Sequence, residues 1–161
     1  MLLIADFLRK LFFEHYLIEK FTIKTEKTIH FTTDLKTEKV YADEEFLKEA
    51  ISNLIDNAIK YSKESVKINI SSSSDANHDI INIYDNGIGI PQKDQKKIFE
   101  KFERASAIKQ TRKGGPSGFG LGLNYVYQVM EAHEGRVYIN SIEGEFSEFS
   151  LLIPKIIESY D

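Results

Sequence analysis

Asp43-Glu44-Glu45-Phe46-Leu47-Lys48-Glu49-Ala50-Ile51-Ser52-Asn53-Leu54-Ile55-Asp56-Asn57-Ala58-Ile59-Lys60-Tyr61-Ser62 is the stretch on which the reading of this chain turns. At about 100° per residue, Leu47, Ala50, Ile51, Leu54 and Ala58 fall on one apolar face, which predicts an amphipathic helix packed on a core. Asp43 stands as its N-cap, and Glu44 and Glu45 suit the positive end of its dipole. Asn53, Asn57 and Lys60, at i, i+4 and i+7, form a polar stripe along the edge of that face. Asparagine is a mediocre helix former, costing about half a kcal/mol or more against alanine, so two of them beside a core edge invite a reason. One reason is hydrogen bonding to a neighbouring loop. The other is an amide carbonyl offered to a hard cation such as Mg²⁺, with Lys60 nearby for phosphate.

Outward from this helix the apolar period divides the chain into short elements without repeats. Residues 27–33 alternate and are rich in β-branched side chains, which predicts a strand, with a second, short one at Lys39 to Tyr41. Val66, Ile68 and Ile70 mark a strand, Ser71 to His78 a polar turn, and Ile81 and Ile83 the antiparallel return. A loop at Asp85 to Pro91 leads to a short helix near Asp94–Phe102. Residues 104–118, rich in Lys, Arg, Gly and Ser, read as a long mobile loop, and such loops in compact domains tend to be functional lids. A helix from about Gly120 to Ala132 follows, then strands near Arg136–Ser141 and Phe146–Ile153. Helices in runs with antiparallel strand pairs predict an α+β fold. The expected architecture is a two-layer sandwich, a mixed, mostly antiparallel sheet under about three helices. Ahead of it, Leu3, Phe7, Leu8, Leu11 and Leu17 keep roughly helical spacing. Residues 1–20 are therefore expected as an amphipathic helical segment, with the domain proper over 21–161.

Composition narrows the classes. The 161 residues suit one domain, 42% hydrophobic and 29% charged, which is incompatible with a wholly disordered chain. Twenty-one basic against 25 acidic side chains, a net charge of -4, argue against a broad nucleic-acid surface. The absence of cysteine excludes disulfides, thiolate zinc sites and a cysteine nucleophile, and fits a reducing compartment. The four histidines are scattered and leave little for a metal site. The most apolar stretch, Met1 to Ile18, is interrupted by Asp6, Arg9, Lys10, Glu14 and His15, so it is no membrane span.

Two glycine-bearing turns stand beside the helix as candidate ligand sites. Asp85-Asn86-Gly87-Ile88-Gly89-Ile90-Pro91 follows a strand directly, and its glycines allow positive φ and close backbone approach. A strand-end carboxylate next to such a turn can accept a hydrogen bond from an adenine amino group, which guanine's carbonyl cannot provide; an ordinary Asp-Asn-Gly turn is the alternative. Gly118-Phe119-Gly120-Leu121-Gly122-Leu123 opens a helix, where free N–H groups and the dipole favour a phosphate, or where glycines merely ease helix packing. It is neither a P-loop nor a dinucleotide fingerprint.

In this order and spacing the three stretches resemble the ATP-binding catalytic domain of sensor histidine kinases, within the Bergerat-fold superfamily. Asn53 to Ser62 resembles the N box, Asp85–Pro91 the first glycine box and Gly118–Leu123 the second. Phe99-Glu100-Lys101-Phe102-Glu103-Arg104 resembles the F box that opens the ATP lid, and His133-Glu134-Gly135 and Phe149 to Pro154 match further on. The resemblance implies that Asn57 ligates Mg²⁺ with Asn53 beside it, that Lys60 and Arg104 contact phosphates, and that Tyr61 lies against adenine. It implies that Asp85 reads the adenine amino group and that Ile90 and Leu121 line the pocket. Gly87, Gly89, Gly118, Gly120 and Gly122 would shape the pocket and lid, with Lys109, Arg112 and Lys113 as lid cations. Phe119 is bulkier than the small residue usual there, and Phe146 stands where the late box usually has glycine.

None of His15, His30, His78 or His133 lies in the family's phosphoacceptor context. The resemblance therefore implies a catalytic half with ATP and Mg²⁺ as cofactors, acting on a histidine of a separate dimerisation domain, with a response regulator downstream. It also implies a cytoplasmic, monomeric domain without direct membrane or nucleic-acid contact, compatible with a parent kinase that is membrane-anchored. An alternative is an ATP-hydrolysing domain of the gyrase, mismatch-repair or chaperone kind. Those relatives carry a glutamate four residues before the metal-binding asparagine, where this chain has Asn53, which is no proton acceptor near neutral pH. A third reading is a degenerate nucleotide-sensing or partner-binding module, against which Asn57, Lys60 and Asp85 speak, and an anti-sigma-type serine kinase is a related alternative.

Overall fold

A computed structural model describes residues 2–3, 6, 26–98 and 119–156. Its elements, in chain order, are β1 (Leu2–Leu3), β2 (Thr28–Leu35), β3 (Lys39–Val40), α1 (Glu44–Lys60), β4 (Ser65–Ser74), β5 (His78–Asp85), α2 (Gln92–Gln95), α3 (Phe119–Ala132), β6 (Arg136–Ile142) and β7 (Phe146–Pro154). Five strands form one sheet in the order β2-β4-β5-β7-β6. β2 and β4 run parallel, with α1 in the connection between them; the other three pairings are antiparallel. The sheet is mixed and mostly antiparallel, as expected.

Alternation along the strands decides which face is covered. Val66, Ile68 and Ile70 of β4, Ile81 and Ile83 of β5, and Phe149, Leu151 and Ile153 of β7 are buried on one face. Against them lie Leu47, Ala50, Ile51, Leu54, Ile55, Ala58 and Ile59 of α1, and Leu123, Val126, Val129 and Met130 of α3. This is a two-layer α+β sandwich with its core between sheet and helices. At about 1.5–3 kcal/mol for each fully buried large aliphatic side chain, that shared layer is the main source of stability.

Capping ties the two long helices together. The Asp43 carboxylate accepts from the Phe46 N–H at 3.1 Å, the N-cap bond foreseen from the sequence. The Asp43 N–H itself donates to Nε2 of His133 at 2.9 Å, while His133 Nδ1 lies 2.7 Å from the Val129 carbonyl. These partners assign the proton to Nδ1, so one imidazole joins the end of α3 to the start of α1.

Two expectations are corrected at the edges of elements. Ser71–Ser74 belong to β4 and not to a turn: Ser72 Oγ donates to the Thr37 carbonyl at 2.6 Å and Ser74 Oγ to Asp79 Oδ1 at 2.6 Å, so these hydroxyls find partners from neighbouring segments inside a sheet. The actual turn is tighter, closed by Asp75 Oδ1 accepting from the N–H groups of Asn77 and His78, both at 2.7 Å. The short helix starts earlier, at Gln92, because Pro91 presets the backbone ahead of the first turn. At the N-terminus, Leu2–Leu3 pair antiparallel with Lys39–Val40 and Asp6 is helical; the rest of the helical segment expected over 1–20 lies outside the described residues. Among the described residues no helix is long and apolar enough to cross a membrane.

Candidate functional site

One cavity gathers the end of α1, the turn after β5, and the neighbouring parts of α3 and β7. Asn57, Ala58, Tyr61, Asp85, Ile88, Gly89, Ile90, Leu123, Ser147 and Phe149 line it. Asp85 reaches it because β5 ends there, with Asp85 opposite Ser147 of β7 and Ile68 of β4. Asp85 is 7% exposed, and its carboxylate accepts the Gly87 N–H at 2.8 Å. Burial raises its pKa to about 6, and the Gly87 bond opposes that rise only in part. A buried carboxylate with one structural bond is suited to a ligand that brings its own donor.

The turn after Asp85 is held from every side. Asn86 Oδ1 accepts the Lys67 N–H at 2.7 Å, the Ile88 N–H donates to the Tyr61 carbonyl at 3.0 Å, and the Ile90 N–H donates to Ser141 Oγ at 2.8 Å. Gln95 Nε2 bridges the carbonyls of Ile90 and Ser141 at 3.0 and 3.1 Å. The glycines are steric requirements. A Cβ on Gly87 would stand 2.6 Å from Asp85 Oδ1, and one on Gly89, whose φ is +66°, 2.0 Å from the Ile142 carbonyl. The backbone passes where only glycine fits.

Helix α1 delivers the polar side. Asn57 lines the cavity with a buried Nδ2 that has no hydrogen-bond partner, an uncommon state for an interior amide. Tyr61, one turn further, also lines it; burial, with help from the Asp56 charge, pushes its phenol up to about 12, so it stays neutral. Asn53 lies one turn back, where Gly122 of α3 packs so closely that a Cβ there would be 3.3 Å from Asn53 Oδ1. The second glycine motif therefore meets the asparagine stripe directly.

Of the residues picked from the sequence, the cavity wall brings together Asn57, Tyr61, Asp85, Gly89 and Ile90, with Gly87 buttressing Asp85. Lys60 is not in that wall: on the exposed flank of α1, its Nζ pairs with Asp56 Oδ2 at 3.1 Å. Gly120 lies in the first turn of α3. Gly118, Arg104 and the F box lie outside the described residues, as do Lys109, Arg112, Lys113 and the side chain of Leu121. Sequence reading missed Ala58, Ile88, Leu123, Ser147 and Phe149 as lining residues. Ser147 was accessible in principle, as a polar residue at an inward position of an alternating strand.

The chain resembles known proteins along most of its length. The family model of histidine kinase-, DNA gyrase B- and HSP90-like ATPases matches residues 42–157. The adaptive-response sensory kinase SasA of Crocosphaera subtropica is 35% identical over 133 residues, 81% of this chain and 34% of that protein. The sensor histidine kinase WalK of Bacillus subtilis is 32% identical over 153 residues, 92% of this chain and 24% of that protein. The chain thus spans about a quarter to a third of the length of these relatives. Among solved structures, the catalytic domain of histidine kinase ThkA superposes with a TM-score of 0.73 at 26% identity, covering 95% of each chain. The mycobacterial sensor histidine kinase MprB gives 0.68 at 27% identity, over 85% of this chain and 90% of that one. With the strand-end aspartate, the glycine turn and the asparagine helix meeting in one cavity, the chain belongs to the histidine kinase-, DNA gyrase B- and HSP90-like ATPase family.

Proposed function

We propose that this domain binds Mg-ATP in the Asn57–Asp85 cavity and presents the γ-phosphate to a histidine on a separate dimerisation domain of a two-component kinase. A response regulator would take the phosphoryl group onward. Asp85 selects adenine by accepting from its amino group, Tyr61, Ile88 and Ile90 supply apolar walls, and Lys60 leaves Asp56 to meet phosphate oxygens.

The unpartnered, buried amide nitrogen of Asn57 is the observation that supports a ligand at this point. Because oxygen and nitrogen of an amide can exchange places by a flip, the same side chain can turn its carbonyl to a cation. Among the described residues no group of three or more histidines or carboxylates is placed to cage a metal. That suits Mg²⁺, which is commonly held by few protein groups together with substrate phosphates. Bound there, the ion would neutralise phosphate charge and orient the polyphosphate.

The identity of residue 53 supports phosphoryl transfer over hydrolysis. An asparagine cannot take a proton from water near neutral pH, and Asn53 is packed under Gly122. Without a base, water is a poor competitor and the phosphate waits for a better nucleophile. The test is incubation with γ-³²P-ATP and Mg²⁺. The chain alone should remain unlabelled, and addition of its histidine-bearing domain should produce an acid-labile phosphohistidine on that domain. Brisk multiple-turnover hydrolysis by the chain alone would overturn this reading in favour of a gyrase-like ATPase.

A further inference from the structure

Lys27 lies just ahead of β2, far in sequence from the cavity, yet its ammonium group is seated against the end of α1. Nζ is 2.7 Å from the Ile59 carbonyl, 3.2 Å from that of Lys60, 2.9 Å from that of Ser62 and 3.2 Å from Ser62 Oγ. An ammonium has three N–H donors, so these four oxygens saturate it. The last carbonyls of a helix have no partners within the helix and sit at the negative end of its dipole, so a cation there satisfies both requirements. The adjoining Thr28 N–H donates to the Glu64 carbonyl at 3.0 Å, fixing the start of β2 to the same corner.

The acceptors of Lys27 bracket Tyr61 on both sides. Tyr61 is the C-cap residue of α1, its side chain lines the cavity, and its carbonyl accepts the Ile88 N–H at 3.0 Å. The same carbonyl leaves no room for a Cβ on Gly87, which would stand 2.9 Å away. Force on Lys27 therefore passes through one helix end to the aromatic wall and to the turn that holds Asp85.

We propose that Lys27 is a positioning residue for the nucleotide cavity, setting through the end of α1 how tightly nucleotide is held. The proposal rests on the nucleotide reading of the cavity. The clamp sets the placement of Tyr61 and, through the Ile88 bond, of the Asp85–Gly89 turn. Lys27 thereby affects nucleotide affinity although it is not among the residues that line the cavity.

The experiment compares the full chain with Lys27→Met and Lys155→Met. Lys155 is a matched control, since its Nζ also donates to a backbone carbonyl, that of Asp75 at 2.6 Å, at the opposite end of β5 from Asp85. Two quantities are read: affinity for Mg-ADP and an unhydrolysable ATP analogue by calorimetry, and amide hydrogen exchange of Ile88 relative to Ile83 in the core of β5. K27M should weaken nucleotide at least threefold and speed Ile88 exchange at least tenfold with Ile83 unchanged, whereas K155M should change neither. Affinity of K27M within twofold of the parent, or equal acceleration of Ile83 and Ile88, overturns the proposal. If the parent chain binds no nucleotide, the nucleotide reading fails, while Ile88 exchange still tests the clamp. Should K27M not fold, Lys27→Gln, which keeps two donors without the charge, is read against the same thresholds.

Discussion

The Gly87 N–H donates to Asp85 Oδ1 at 2.8 Å across a turn in which any side chain on Gly87 would collide with that same oxygen. The glycine thus both orients the carboxylate and keeps the space in front of it clear. From this pair follows base selectivity. If Asp85 accepts from the adenine amino group, ATP and ADP should bind far better than GTP. Loss of a buried, charge-assisted hydrogen bond costs about 1.5–3 kcal/mol, or roughly 10–150-fold in affinity. Calorimetry should show Asp85→Asn weakening ATP by at least the lower figure; equal affinity for ATP and GTP would remove this role from Asp85.

The same carboxylate should make the domain less stable at neutral pH than it could be. Its folded pKa is raised from 3.8 to about 6, chiefly by burial. Between those values the folded state binds more protons than the unfolded one, so stability falls as pH rises through this window. The difference corresponds to up to about 3 kcal/mol at pH 7. Asp85→Asn, which carries no charge, should therefore melt several degrees above the parent at pH 7.5, and the gap should narrow towards pH 4.5. Thermal melts at the two pH values decide this, and a gap independent of pH would contradict it.

Glycine positions separate by surroundings as well as by backbone angle. Gly89 and Gly144 both have positive φ, +66° and +83°, yet a Cβ at Gly89 meets the Ile142 carbonyl at 2.0 Å while one at Gly144 meets nothing within 4 Å. Gly144→Ala should cost about 1 kcal/mol, the ordinary strain of a left-handed alanine. Gly89→Ala should cost several times that, because backbone must shift on both sides. Chemical denaturation of the two variants at constant m-value is the comparison; equal losses would show that the turn yields easily.

Lys60 offers a separation of stability from binding. Its pairing with Asp56 is an exposed i, i+4 contact at 3.1 Å, worth about 0.3–0.5 kcal/mol. Lys60→Ala should leave the melting temperature within about 2 °C, yet weaken ATP more than AMP if the amine meets the outer phosphates. Asp56→Asn should keep affinity, since it frees the amine. A uniform loss for AMP and ATP in K60A would place Lys60 outside phosphate recognition.

Much of this protein is legible in the order of its residues. The 3.6-residue apolar period of α1 and the two-residue alternation of β4, β5 and β7 determine which side chains face the core, because each element has one face to bury. Asp43 as a cap, and glycines at 87 and 89, are local chemistry and were readable locally. What the sequence could not carry was lateral register. That Asp85 stands opposite Ser147, and that Phe149 and Leu123 close the same cavity, depends on β7 lying between β5 and β6. Nor did composition distinguish Ser71–Ser74 as strand, since serines read as turn formers until Thr37 and Asp79 arrive from other elements to satisfy them. Lys27 is the furthest case. Alone it is one more surface cation; its place at the end of α1 arises only because parallel pairing of β2 with β4 returns the chain to that corner, where the carbonyls at the negative end of the helix dipole make a positive charge favourable.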